Sequence, residues 1–405
     1  MASRRQQPRP GAPSPQGPNP AWTDDLPAKP IKNALLPRLI MGLVLLGLWH
    51  VAAHGIKAGE VPNSFLGHPF RKTFTGNGMI DTFLAYLTRL FSLALDSPVA
   101  EQRIQLGYIL CMLTPTVLIW VVEGHRRANL QAFSGRVLTF PGFWALMYQT
   151  FAIARTGPIY FLFTLLASLN PLYYRPTARV VDVDVARSVL PAVVLGYVIS
   201  SVLLCLPHWS SPGAWLDLAT LWQVAPVIVG PLTVLFASIL RRLRSGNEDA
   251  DVEVFKCKDL PHLLTAYATL FWTTAAAHLC TLAYFALSAG RLSLYRAFFD
   301  VPLPWGPLGD NWMASVDPRE AFFVVLRWDQ IIMVATSLAW CLWNVFEMRR
   351  LGYTTTTEAL RVAAAVAASP VMVGPGAMYA GTWYWREKKI AETSKMEQGD
   401  GKKER

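Results

Sequence analysis

The run IQLGYILCMLTPTVLIWVV, residues 104–122, carries no charge, and EGHRRAN, residues 123–129, closes it. Nineteen apolar or weakly polar residues in a row are enough to cross the hydrocarbon of a bilayer as one helix, which takes about 20. The polar closure places an acid, a histidine, two arginines and an asparagine within seven residues. Similar runs recur at Ala34–Ala53, Val137–Asn170, Val185–Pro207, Ala219–Leu240, Leu263–Ala289, Ala321–Phe346 and Ala359–Trp385. One or two such runs can be core helices of a soluble protein. Eight cannot, because with only 16% charged residues the chain of 405 lacks the polar shell to cover them. The fold class is therefore all-α, a polytopic transmembrane helical bundle of about eight spans.

Charge placement fits the same reading. The net charge of +10 sits in short basic groups at segment ends: Arg126 with Arg127, Arg241 with Arg242 and Arg244, Arg349 with Arg350, and Arg386 with Lys388 and Lys389. Such groups orient helices and meet anionic headgroups. No nucleic-acid motif accompanies them, so no nucleic-acid partner is expected. The five cysteines are scattered and have neither metal spacing nor a disulfide framework.

Residues 1–30, rich in Pro, Gln, Ser and Arg, read as a disordered tail without the apolar core of a signal peptide. Residues 31–388 form a single transmembrane helical domain, and 389–405 a charged C-terminal tail. Within the domain, 54–103 is a polar loop whose stretch Met79–Leu95 has helical apolar spacing and is expected to lie on the membrane surface. Arg155, Gly157 and Pro158 interrupt the run Val137–Asn170, which predicts a kink or two half-helices. If that run is a hairpin, the first three basic groups share one side of the membrane. The C-terminus then needs a second return, for which Gly374–Gly376 is the natural bend. The ending Lys402-Lys403-Glu404-Arg405 matches a dilysine retrieval signal, read in the cytosol, and points to the endoplasmic reticulum.

Polar groups inside hydrocarbon are costly, so they mark candidate function. Glu123 closes the second run and Asp329 lies about a third of the way into the seventh. Asp329 is a candidate general acid, because an unpaired carboxyl among apolar side chains keeps its proton. The plainer alternatives are ion pairs, with Arg126 or Arg127 for Glu123 and with Arg327 or another helix's arginine for Asp329. Asp182 and Asp184 read as neutralising neighbouring arginines, His278 as a satisfied core histidine, and Glu320, Glu347 and Glu358 as surface groups. Trp120, Trp328, Trp340 and Trp343 lie inside spans, where they serve core packing or line a cation-stabilising pocket. No phosphate loop, catalytic serine elbow, zinc motif, dinucleotide fingerprint or pair of aspartate-rich diphosphate motifs is present. A cofactor-free, metal-free acid–base reaction on a lipophilic small molecule is the simplest enzyme reading.

Several segments carry a family resemblance: Glu123-Gly-His-Arg126-Arg-Ala-Asn129, Gly157-Pro158-Ile-Tyr160-Phe161, Leu190-Pro191-x4-Gly196-Tyr197, Trp328-Asp329 followed by Trp340, and Gly374-Pro375-Gly376-Ala377-x3-Gly381 with Trp385-Arg386-Glu387. In order and spacing these resemble fungal membrane-bound terpene cyclases of the ascofuranone type. That family includes epoxide-opening hydrolases of pyrone polyketide pathways such as citreoviridin and aurovertin. The similarity runs from about residue 100 to 388.

It implies an epoxide-opening reaction in fungal secondary metabolism, on a meroterpenoid or polyene polyketide, as cyclase or hydrolase. It also implies a membrane setting and a pathway partner such as an epoxidising monooxygenase. The residues carried over are Glu123 and Asp329 as catalytic, with Arg126, Asn129, Tyr160, Trp328 and Trp340 as substrate-binding or cation-stabilising. Two other classes remain open: a transporter or lipid-binding membrane protein, and a non-catalytic accessory protein of a biosynthetic cluster.

Overall fold

The computed structural model describes residues 26–31, 33–55, 64–65, 68–95, 97–130, 133–170, 173–206, 211–243, 258–302 and 317–400. Most of the 1–30 tail, Arg244, Cys257 and the dilysine ending lie outside these residues. Twelve principal helices follow one another: α1 (Leu35–Gly55), α2 (Gly78–Leu95), α3 (Ala100–Gly124), α4 (Pro141–Phe151), α5 (Ile153–Ala167), α6 (Val183–Cys205), α7 (Pro212–Trp222), α8 (Ala225–Leu243), α9 (Leu260–Leu287), α10 (Pro318–Arg350), α11 (Thr356–Met372) and α12 (Pro375–Asp400). Seven of them, α1, α2, α3, α6, α8, α9 and α10, are long and apolar enough to cross a membrane. In hydrocarbon every backbone amide needs an internal partner, and a helix supplies that from its own sequence. Among the described residues the one extended pairing is a two-residue ladder, Ser64–Phe65 with His68–Pro69.

α3 is the axis of the bundle. Its residues are buried almost throughout, and α2, α6, α9, α10 and α12 pack around it. Helices α1, α8 and α9 keep broad apolar faces exposed, as lipid-facing helices do. Met79–Leu95 differs from expectation. It forms α2, and its apolar stripe (Leu84, Leu87, Leu93) is buried against α3, α7 and α10 rather than turned to the membrane surface.

Both long runs flagged as interrupted are hairpins. Val137–Asn170 breaks at Ala152, between α4 and α5, rather than at Pro158, which α5 absorbs within its helix. Ala152 has φ 69° and ψ 152°, a conformation that L-residues rarely adopt. The last run returns at Gly374, φ +90°, where a Cβ would stand 2.8 Å from the ring of His278. That imidazole is itself held between the Tyr108 hydroxyl (2.8 Å) and the Val371 carbonyl (3.0 Å), as a core histidine. After the turn, α12 runs back along α11 until Lys389 meets Glu358 at 2.8 Å.

These two returns bring the basic groups to one end of the bundle. The Arg126 guanidinium donates to the carbonyl of Arg179, and Arg241 pairs with Asp182 (3.0 Å) at the start of α6. Asp182 also caps that helix, accepting from the amides of Asp184 and Val185. Arg386 of α12 reaches Asn344 of α10, one turn from Glu347 and Arg350. Glu347, expected at the surface, is fully buried in that Arg350 pair.

Two outcomes test this arrangement. In a cysteine-free background, Arg127→Cys, Arg242→Cys and Lys388→Cys are all exposed positions. They should react with an impermeant maleimide from the same side of sealed microsomes, and labelling from opposite sides would disprove the double return. Gly374→Ala should cost about 1–3 kcal/mol, read as a lower melting temperature by fluorescence-detected size exclusion. Gly47→Ala, where nothing lies within 4 Å of the added Cβ, should leave it unchanged.

Candidate active site

Two polar centres lie in the bundle, and the two carboxylates singled out from the sequence belong to different ones. The first is a closed ion cluster at the basic end. Glu123, the penultimate residue of α3, accepts from both terminal nitrogens of Arg179 (Oε2 at 3.0 Å, Oε1 at 2.6 Å). Its Oε1 also accepts from Arg386 Nη2 (2.9 Å) and the Trp383 indole (3.0 Å). Glu387 takes Arg386 (2.7 Å), Arg179 (2.8 Å) and Arg126 (3.2 Å). Asn129 donates to the main-chain carbonyl of Glu123 at 2.6 Å. Arg386 lies over Trp383, 4.1 Å from the ring centre, and Arg179 lies 5.5 Å from the Tyr173 ring centre.

All five charged side chains are essentially inaccessible. Burial alone would push the Glu387 carboxyl up, but Arg126, Arg179 and Arg386 override it and hold it below the ordinary carboxylate range. Glu123 receives four hydrogen bonds, three on Oε1 and one on Oε2, so both of its oxygens are engaged within the cluster.

The second centre is a cavity of about 170 Å³ in the other half of the bundle. The α3 residues in its wall are Leu106, Ile109, Leu110 and Leu113. Glu123 is ten residues beyond Leu113, about 15 Å along the helix axis. The rest of the wall comes from α2 (Tyr86, Leu90, Phe91), the α4–α5 break (Tyr148 to Ile153, and Arg155), Tyr197 of α6, Trp222 of α7 and α10 (Phe322, Leu326, Asp329).

The break places the polar groups. Turning the chain at Ala152 starts a new helix inside the bundle, whose first amides lack intrahelical partners. Asp329 of α10 meets that end, its Oδ1 accepting from the Ala154 amide at 2.7 Å. Arg155 donates to the carbonyls of Ala52 (3.4 Å) and Ala53 (3.2 Å), at the last turn of α1. Gln149 is locked to Gln223 at 2.7 Å. The remaining surface is aliphatic and aromatic. The chamber thus combines a carboxyl at a helix start with ring faces, an environment suited to acid–base chemistry on an apolar molecule and to stabilising positive charge.

The other residues expected at a site are distributed as follows. Arg126 and Asn129 belong to the ion cluster. Tyr160 stacks on Trp120 (3.8 Å, 11°), and Trp340 stacks on Phe161 (4.9 Å, 14°), in the aromatic core between the two centres. Trp328 packs against Ala52, Ala154, Val324 and Ile332 and does not line the chamber, because adjacent residues of a helix point about 100° apart. Sequence reasoning missed Arg179 and Arg386 as partners of Glu123, Glu387 as the second carboxylate of the cluster, and Tyr148 and Gln149 as chamber residues. Gln149 left a usable signal, since it is an amide inside an apolar run. Among the described residues no group of His, Cys, Asp and Glu is placed to hold a metal ion.

A family model described as the CtvD domain matches residues 45–391. The chain is 25% identical over 290 residues to the FAD-dependent monooxygenase atnA of Arthrinium sp, covering 69% of this chain and 32% of that protein. It is 24% identical over 279 residues to the FAD-dependent monooxygenase verC1 of Penicillium polonicum, covering 67% and 31%. With the terpene cyclase ascI of Acremonium egyptiacum it shares 25% identity over 232 residues, 57% of this chain and 56% of that one. The chain therefore spans about a third of the monooxygenases and just over half of the cyclase. No solved structure matches.

Removing one partner of the ion cluster leaves the others charged and buried, which costs about 3–5 kcal/mol. Glu123→Gln should therefore sharply reduce the folded yield and melting temperature in detergent, whereas Asp329→Asn, whose amide oxygen still caps Ala154, should leave both near wild type. Normal stability of Glu123→Gln would contradict a structural role for the cluster.

Proposed function

The chain belongs to the CtvD domain family, and on that footing we propose that it is a membrane-embedded, epoxide-opening cyclase or hydrolase of fungal secondary metabolism. The observation that carries the reading is Asp329, set at the start of a broken helix in the wall of a mainly apolar, aromatic chamber that also holds Arg155, Gln149 and Thr150. Its Oδ1 is occupied by the Ala154 amide.

In the reaction proposed, Asp329 gives a proton to the epoxide oxygen as the carbon–oxygen bond breaks. Positive charge develops on the more substituted carbon, and the ring faces of Phe91, Trp222 and Phe322 stabilise it. An alkene, a substrate hydroxyl or a water supplies the electron pair that forms the new bond. The proton then lost from carbon or oxygen returns to the Asp329 carboxylate. The balance closes without a redox partner. The product is an isomer of the substrate, or its hydrate when water attacks.

The names of the relatives support the order of events. Relatives called FAD-dependent monooxygenases and one called a terpene cyclase fit a pathway in which an oxygenase makes the epoxide that this protein opens. The Glu123 cluster is assigned to holding the bundle together rather than to proton transfer.

The α4–α5 break also suits a transporter, whose sites are built at discontinuous helices. Turnover separates the two readings. Microsomes from a yeast host should convert one of a panel of epoxidised prenyl phenols and polyene pyrones to a product of equal mass, or of one added water. Asp329→Asn should lower the rate by about 10²–10⁴-fold at unchanged expression. Conversion that survives Asp329→Asn would remove Asp329 as the acid, and an absence of conversion across the panel would favour transport.

A further inference from the structure

The chamber wall holds one buried hydroxyl with nothing to bond. Tyr148, in the last turn of α4, is 8% exposed, lines the cavity, and has no hydrogen-bond partner for its hydroxyl. An orphaned buried hydroxyl costs free energy, so its persistence asks for an explanation.

The other buried polar side chains of the wall are committed. Tyr197 donates to the Leu110 carbonyl at 2.9 Å and Trp222 to the Ser201 hydroxyl at 2.9 Å. Gln149 is paired with Gln223, and Arg155 donates to the end of α1. The tyrosine ring is fixed edge-on to Trp120, with centroids 6.0 Å apart, so its orientation is preset. The strained residue Ala152 follows four positions later. The same break therefore sets Tyr148 on one arm of the hairpin and the Asp329-capped amide on the other.

We infer that the Tyr148 hydroxyl is the donor that binds the epoxide oxygen of the substrate, holding it in place for the proton from Asp329. This rests on the epoxide-opening reading and makes it more specific. The ligand class is a neutral lipophilic chain bearing one oxygen acceptor. A phenolic hydroxyl remains a donor across the physiological pH range, and it spends no free energy on breaking a bond inside the protein. Epoxide is therefore preferred over the parent alkene, because the alkene leaves the hydroxyl orphaned.

The test separates this role from the reaction itself. A terminally epoxidised farnesyl phenol and its unepoxidised parent are titrated into protein in nanodiscs, with binding followed by tryptophan fluorescence. The Asp329→Asn variant blocks turnover during the titration. That variant should bind the epoxide about tenfold more tightly than the alkene. Adding Tyr148→Phe should abolish the preference by weakening epoxide binding alone, with alkene affinity and melting temperature unchanged.

Retention of the preference in Tyr148→Phe, equal loss of both ligands, or binding of neither probe would overturn the inference. If Tyr148→Phe alone turns over an epoxide at the wild-type rate and KM, the inference fails while the proposed reaction stands. If the wild type turns over nothing but keeps a Tyr148-dependent preference, the reaction fails and the oxygen-binding site stands.

Discussion

Three arginines and two glutamates buried against one another hold the basic end of this bundle. They come from the end of α3, the turn before α6 and the far part of α12, and Asn344 ties in α10. Taking charges out of water costs several kcal/mol each, and only close, hydrogen-bonded pairing offsets it. That makes the cluster demanding rather than merely stabilising. Displacing α12 by one turn would separate Arg386 and Glu387 from Glu123 and Arg179. Apolar helices in lipid slide against one another at little cost, so a polar cluster of this kind fixes register where packing alone would not.

With that end fixed, the opposite half of the bundle can hold a cavity. The aromatic layer of Trp120, Tyr160, Phe161, Trp340 and Tyr379 lies between the two regions. The α4–α5 hairpin stops partway through the bundle, turns at a strained alanine and leaves a helix start facing Asp329. A straight helix over residues 141–167 would present no free amide at that depth.

The fold was largely legible because hydrocarbon imposes a length and a composition that can be read from one chain. Both returns were legible as interruptions, although Arg155, Gly157 and Pro158 pointed to the wrong residue for the first. Nothing about an alanine announces φ 69°, because that conformation is imposed by the packing of α4 and α5. The position of α2 was misread for a related reason: an amphipathic stripe looks the same whether it faces headgroups or a neighbouring helix. Glu123 and Asp329 stood out as buried carboxylates, and Arg126, three residues on from Glu123, was legible as one of its partners (3.8 Å), but the distant partners were not. Arg179 is 56 residues from Glu123, and Arg386 is 263 away. Spacing carries no information at such separations, so two carboxylates in different places looked like one site.

Those separations also order the making of the protein. Glu123 and Arg179 leave the ribosome early and can pair as soon as α3 and the start of α6 are in the membrane. Glu387 and Arg386 arrive more than 200 residues later, after most of the spans have been laid down. Until then, Arg126 and Arg179 lack the second carboxylate, Glu387, that each of them meets in the finished cluster. The half-made bundle must therefore stay open at that end, with water or the insertion machinery shielding the arginines. α12 is the helix that seals it, by bringing Arg386 and Glu387 to Glu123 and Arg179. A chain ending before residue 386 would keep its long apolar helices and still be recognisable to quality control as unfinished.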